Sequence, residues 1–200
     1  MATIGRRDLI LLLISLKPSG DIGEEIGGVT RLQKLLFLLE KEEGVTPQGE
    51  GFEFVPYKAG PYSSRLYDDI EFLENLGLLQ SEVVAEATDA EAAEVALEEA
   101  EADRLSFEDL MGDGGSSKQR SNPDVYEERR FRLSPKGLGR IKEQLESGQY
   151  KPVVDGIRKV KSRYSAYSLN DLLYHVYTKY PEMTDESEIK DKVLGRGRRR

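Results

Sequence analysis

Apolar positions along this chain fall into helical and extended patterns that alternate with glycine- and proline-marked breaks. Arg6 to Leu16 is apolar almost all round, which predicts a first helix buried on more than one side, stopped by Lys17-Pro18-Ser19-Gly20. Asp21 to Gly28, with three glycines, reads as a loop. Thr30 stands three residues before Gln33 as a capping box, and Leu32, Leu35, Leu36 and Leu39 follow at helical spacing, so a second helix runs to about Glu43 and ends at Gly44. Phe52, Phe54 and Val55 favour a strand that Pro56 confines to a sheet edge. Gly60-Pro61 predicts a tight turn with the proline in the first turn of a third helix. The buried face of that helix is Leu66, Ile70, Leu73 and Gly77, widened by Phe72 and Leu76, with Gly77 as close approach or C-terminal cap.

Leu78 to Ala85 alternates weakly and reads as a strand, and Val125 to Leu133 resumes strand character. Together they predict a β-hairpin whose tip is replaced by an acidic stretch, Glu86 to Leu110, read as a mobile helix or arm, and by a glycine- and serine-rich linker from Met111 to Pro123. Ser134-Pro135 starts another helix, leading into Gly137 to Leu145 and ending at Ser147-Gly148. Val153, Val154, Ile157 and Val160 mark the next, to about Tyr164. Ser168 and Asp171 open one more, with Leu169, Leu172, Leu173, Val176 and Tyr180 on one face and Pro181 closing it, and Ser187 to Leu194 is a last short helix. The expected class is therefore α+β and mostly helical, in the order of a winged helix-turn-helix, with a C-terminal helical extension. Residues 1–146 form the winged-helix domain, with 86–124 as the acidic flexible insertion in its wing; 147–195 form the extension and 196–200 a basic tail.

Composition changes this picture in two ways. The chain has no cysteine, which excludes disulfides and thiolate chemistry, and no leader-like opening, so a cytoplasmic location is expected. Its longest apolar run, Leu9 to Ile14, is far short of the roughly 20 residues that cross a bilayer, so no membrane partner is expected. The net charge of −8 is unevenly spread: 12 acidic residues lie between Ser81 and Asp113 against the single Arg104, so the rest of the chain carries a small positive excess.

Catalytic chemistry finds little purchase. His175, the only histidine, has no legible nucleophile or acid constellation beside it and reads as structural. The glycine clusters Gly23 to Gly28 and Gly112 to Gly115 match no phosphate or dinucleotide loop, and Glu98, Glu99, Glu101 and Asp103 lack the ligand alternation of a calcium loop. No enzyme activity, cofactor or metal is expected.

Double-stranded DNA is the first candidate partner. The third helix would enter the major groove, yet Asp68, Asp69, Glu71 and Glu74 would face phosphate there, leaving its first turn, Tyr62, Ser63, Ser64 and Arg65, with Lys58 before it and Arg31 and Lys34 on the second helix. The wing adds Arg130 and Arg132, which share a strand face and point outward if Phe131 and Leu133 are core, and Lys136 follows. The alternative is a solvated strand face balanced by Glu127 and Glu128. A second basic stretch, Arg158, Lys159, Lys161 and Arg163, pairs up at helical spacing as a phosphate surface or an ordinary amphipathic face. The C-terminal helices, with Tyr164, Tyr167, Tyr174, Tyr177 and Tyr180, offer an interface for a protein partner or a homodimer.

Three stretches carry a family resemblance: GVTRLQKLLFLLEKE, FEFVPYKAGPYSSRLYDDIEFLENLGLL and YSLNDLLYHVYTKYPEMTDESEIKDKV. They resemble the YwgA-like family of uncharacterised prokaryotic proteins, similar in turn to the Panacea (SocA-like) antitoxin domain. The most distinctive part is Phe52, Phe54, Tyr57, Gly60, Pro61, Tyr62 and Ser63. The first family implies no assigned activity; the second implies neutralising a toxin by protein contact, with DNA-binding potential in some members. The sequence therefore leaves two expectations: a prokaryotic non-enzymatic winged-helix protein that is a DNA-associated regulator or an interaction module, and an antitoxin-like protein that neutralises a partner by protein–protein contact.

Overall fold

The computed structural model describes residues 4–85 and 127–196. The acidic insertion, the linker, Val125 and the side chain of Arg196 onward lie outside the described residues, and with them the expectations placed there.

Helix α1 (Arg6–Ser15) occupies the centre. Its Leu9 to Ile14 run is buried at every position because α2 (Val29–Glu43), α3 (Ser64–Asn75), strand β3 (Glu127–Leu133) and two later helices pack around it. A helix apolar on all sides can satisfy its surface only in such a position. Pro18 bars its continuation, and Leu16 turns away to bridge Ile22.

The three-stranded antiparallel sheet has the order β1-β3-β2, with β2 Leu79–Ala85 and β3 Glu127–Leu133. The expected hairpin pairing forms, from Leu79 opposite Leu133 to Ala85 opposite Glu127. The third strand is not the expected one. Ile26–Gly27, in the stretch read as loop, forms β1 and pairs with Phe131 and Arg130. Phe52 to Val55 joins no sheet and makes only an isolated bridge, Val55 with Tyr62, across the Gly60-Pro61 turn. Its aromatics serve the core instead: Phe52 is buried, and Phe54 packs edge-on against Phe37.

Two helix starts differ from expectation. The N-cap of α2 is Gly28, and no Thr30–Gln33 capping box forms, because Gln33 reaches across to accept from Ser63 N and donate to the Tyr67 hydroxyl. Helix α3 begins at Ser64 rather than Pro61; Pro61 stays in the turn, where its carbonyl accepts from Lys34 Nζ at 2.9 Å. Gly77 ends α3 in the left-handed region (φ 66°), with Leu78 N bonding back to Leu73 O, so it is the cap and not a close approach.

Helices α4 (Pro135–Glu146), α5 (Lys151–Tyr164) and α6 (Leu169–Lys179) begin as expected, α4 and α6 with Ser134 and Ser168 side chains accepting from Gly137 N and Asp171 N. A 3₁₀ turn (Pro181–Thr184) and α7 (Lys190–Arg196) follow; α7 starts three residues later than the expected Ser187. Val153, Ile157, Val160, Leu169, Leu172, Leu173 and Val176 join the same hydrophobic core as α1 and α2. The C-terminal helices are therefore not an appendage to a finished domain. Their apolar faces pack on α2, while Tyr167 and Tyr174 remain exposed.

Candidate interaction surface

The outer face of α3 is the largest departure from the expected burial pattern. Phe72 and Leu76, expected to widen the buried stripe, are 39% and 44% exposed. They lie four residues apart, one above the other, with Asp68, Glu71 and Asn75 exposed beside them. Arg7 of α1 stacks on the outward Phe72 ring at 3.5 Å from its centroid. Asp69, expected to face phosphate, lies inside instead, as does Tyr67. Asp69 is fully buried and binds Arg6 Nε at 2.5 Å and Arg7 Nε at 2.8 Å through its two oxygens. A buried carboxylate persists only when paired in this way, so the two arginines at the start of α1 anchor α3.

The expected DNA contacts of the first turn are largely drawn into the protein. Lys34 and Ser63 are corrected from surface to core: Lys34 is 2% exposed on the Pro61 carbonyl, and the Ser63 hydroxyl donates to Phe52 O at 2.5 Å. Arg31 donates to Tyr167 O, and Lys58 pairs with Glu188 at 3.6 Å. Arg65 holds Gly51 O together with Glu50 and Glu53. Tyr62 is half-buried between Tyr57 and Tyr67, its rings 4.7 and 5.7 Å from theirs, and burial pushes its hydroxyl pKa up. Ser64 remains exposed at the helix start.

On the hairpin, Phe131 and Leu133 are core and Arg132 lies on the opposite side with Arg130, as strand parity requires. Arg132 sits between Glu25 (3.8 Å) and Glu82 (3.2 Å). Arg129, on the other face, chelates Glu74 at 2.8 and 2.9 Å, which removes that carboxylate from the front of α3. Lys136 Nζ donates to Leu76 O, and Arg140 pairs with Asp8. Lys58, Arg65, Arg129, Arg132 and Arg140 thus each meet a carboxylate, whereas Arg31, Lys34 and Lys136 reach backbone carbonyls.

A polar junction that sequence reasoning missed joins α2, α5 and α6. Glu42, its side chain 5% exposed, accepts from the Tyr164 hydroxyl (2.8 Å), Lys179 Nζ (2.7 Å) and Arg163, with His175 Nε2 3.4 Å away. Burial opposes its ionisation, but the bonds from Lys179, Tyr164 and His175 outweigh it and hold its pKa at about 2. Burial, then the bond to Glu42, pushes Tyr164 up to about 12. His175 also lies 2.9 Å from the Tyr164 hydroxyl, so its ring is engaged in this junction. Lys161, expected in a phosphate surface, is buried on Glu24 (2.5 Å) and Ile14 O (3.3 Å), and burial lowers its pKa. The signal available for these residues was weak, since Glu42 and Lys161 look like ordinary charges on amphipathic helices.

Among the described residues no group of acidic or histidine side chains is arranged to hold a metal, and no helix is long and apolar enough to cross a membrane. In comparisons with protein-family models, with curated proteins and with solved structures, nothing matched this chain.

Proposed function

We propose that the chain is a non-enzymatic winged-helix module that works by protein contact, with the outer face of α3 as its docking surface. The winged-helix reading is supported by the order helix, strand, helix, helix and a two-stranded hairpin, with β1 completing the sheet. In a DNA-reading member of that architecture the helix corresponding to α3 enters the major groove and needs cations toward the phosphates. The observation that carries the proposal is the opposite surface here: Phe72 and Leu76 exposed together, bordered by Asp68 and Glu71. An apolar pair bordered by Asp68 and Glu71, with Arg7 of the same chain stacked on the Phe72 ring, fits an amphipathic segment of a partner, whose apolar anchors cover the two side chains and whose lysines or arginines meet the carboxylates. Neutralisation of a partner, as the resemblance to antitoxins implies, is one use of such a surface.

The non-enzymatic part rests on the sequence, which has a single histidine, no cysteine and no legible nucleophile constellation. DNA association through Arg130 and Arg132 is the competing reading, favoured by their shared strand face.

A photo-crosslinking residue at position 71, used in cells of the protein's own source, identifies the partner, which is then purified and titrated. The expected result is a stoichiometric complex weakened about a hundredfold by Phe72→Asp, the ~3 kcal/mol of a central interface anchor. Duplex DNA at 50 and 200 mM salt is the second arm. Salt-sensitive DNA binding that is lost in an Arg130→Glu/Arg132→Glu variant and kept in Phe72→Asp overturns the proposal in favour of the wing.

A further inference from the structure

Helix α5 turns a basic side toward the loop that follows α1. An open cleft there, about 730 Å³, is lined by Pro18, Asp155, Arg158, Lys159, Ser162 and Arg163. Three cations face one carboxylate, and Lys17 is exposed on the same loop. Arg158 is the unusual member. Among the described residues its guanidinium meets no carboxylate; its bond is a long one, 3.4 Å, to Ser19 O. It lies flat against Gly20, where a Cβ would come within 3.4 Å of its Cζ and Nε, so the absence of a side chain there leaves room for this position.

Lys159 and Arg163 are paired with Glu43 and with Glu42 and Glu43, but both remain exposed, at 65% and 50%. Their carboxylate partners are largely buried, with side chains 5% and 11% exposed, but the outward sides of both cations remain open to an anion in the cleft. On the helix surface Arg158 stands over Ser162 and Lys159 over Arg163, each couple four residues apart. Two adjacent couples, each with at least one cationic donor, present donors for two neighbouring phosphoryl groups. Guanidinium groups bind such oxygens through paired, charge-assisted bonds, and a diphosphate brings more negative charge to three cations than a carboxylate does.

We propose that this cleft is a binding site for a diphosphate group, either free or as part of a nucleoside diphosphate. Arg158 and Ser162 hold one phosphoryl group, and Lys159 and Arg163 hold the other. The site is independent of the α3 surface and stands or falls separately from it.

Isothermal titration at constant ionic strength tests it with inorganic pyrophosphate, ADP and sulfate against the full chain. Saturable 1:1 binding of pyrophosphate is expected. Arg158→Gln should weaken it about tenfold or more, the loss of one charge-assisted bond, while Lys142→Gln, which removes an exposed charge on α4, should leave it within about twofold. Far-UV circular dichroism confirms that both variants are folded, as their surface positions lead one to expect. ADP binding tighter than pyrophosphate supports a nucleotide as the source of the group, and equal or weaker binding supports a free diphosphate. The proposal is overturned by no saturable heat with pyrophosphate and ADP, by equal losses in the two variants, or by sulfate binding as tightly as pyrophosphate.

Discussion

Gly60 shows how much a single position decides in this protein. Its φ of 84° lies in the left-handed region, and a Cβ there would stand 2.8 Å from the Tyr177 ring. The turn it belongs to is held from three sides: Lys34 on Pro61 O, Ser187 Oγ and Glu188 N on Lys58 O, and the Tyr177 hydroxyl on Ser187 Oγ. Gly60→Ala should therefore destabilise the chain by about 1–2 kcal/mol through the backbone and by a further ~1–3 kcal/mol through the clash. In a Tyr177→Ala background only the backbone part should remain. Urea denaturation of the four variants of this cycle separates the two contributions; equal penalties in both backgrounds would mean that the ring gives way freely. Lys34 teaches the same lesson, because four apolar carbons and a bond to the Pro61 carbonyl let a lysine lie in the core.

At the scale of elements, the sheet and α4 meet more closely than any residue with a side chain permits. A Cβ on Gly137 would lie 2.1 Å from Leu78 O, at the point where Ser134 N bonds that carbonyl and the chain passes from hairpin to helix. Gly139, two residues on in the same helix, has nothing within 4 Å of a Cβ. Gly137→Ala should cost at least ~1–3 kcal/mol because backbone has to move, whereas Gly139→Ala should stabilise by up to about 1 kcal/mol through helix propensity. Thermal unfolding of the two variants is a matched comparison, and a stable Gly137→Ala protein would refute this packing. The elements themselves were well legible where a local signal exists: Ser134-Pro135 and Ser168 cap their helices as read, and Gly44 and Gly77 end theirs. Ile26–Gly27 was not legible as a strand, since two residues carry no period and their pairing depends on an edge of β3 more than 100 residues away.

Across the whole molecule, the C-terminal helices are fastened to α2 by burial and by the Glu42 junction. Glu42 has a folded pKa of about 2 against an ordinary 4.5. As pH falls, the unfolded chain binds the proton first. The stability that ionised Glu42 contributes is thus complete above about pH 4.5 and is lost as pH falls to about 2. Denaturation midpoints measured between pH 6 and 2 should decline through that window, and the decline should be shallower in Glu42→Gln. An unchanged acid limb in that variant would show that other carboxylates govern it. The same junction holds His175, read from sequence as structural, with a set of partners that no spacing revealed.

The candidate surface was only half legible. Strand parity located Arg130 and Arg132 on one side, and the carboxylates of α3 already argued against groove reading. Its defining pair, Phe72 and Leu76, was misassigned to the core, because periodicity reports which positions share a face and not how far the neighbouring elements extend to cover it. By itself the sequence determined the existence of the main helices, the Ser134 and Ser168 caps, the Gly44 and Gly77 ends, the hairpin and the all-round burial of α1, since these follow from local backbone preference and from apolar spacing. Only the tertiary structure decided which charges go inside. Lys34, Asp69, Lys161 and Glu42 are buried because a partner from a distant part of the chain meets each of them, and desolvation would otherwise exclude them from such positions.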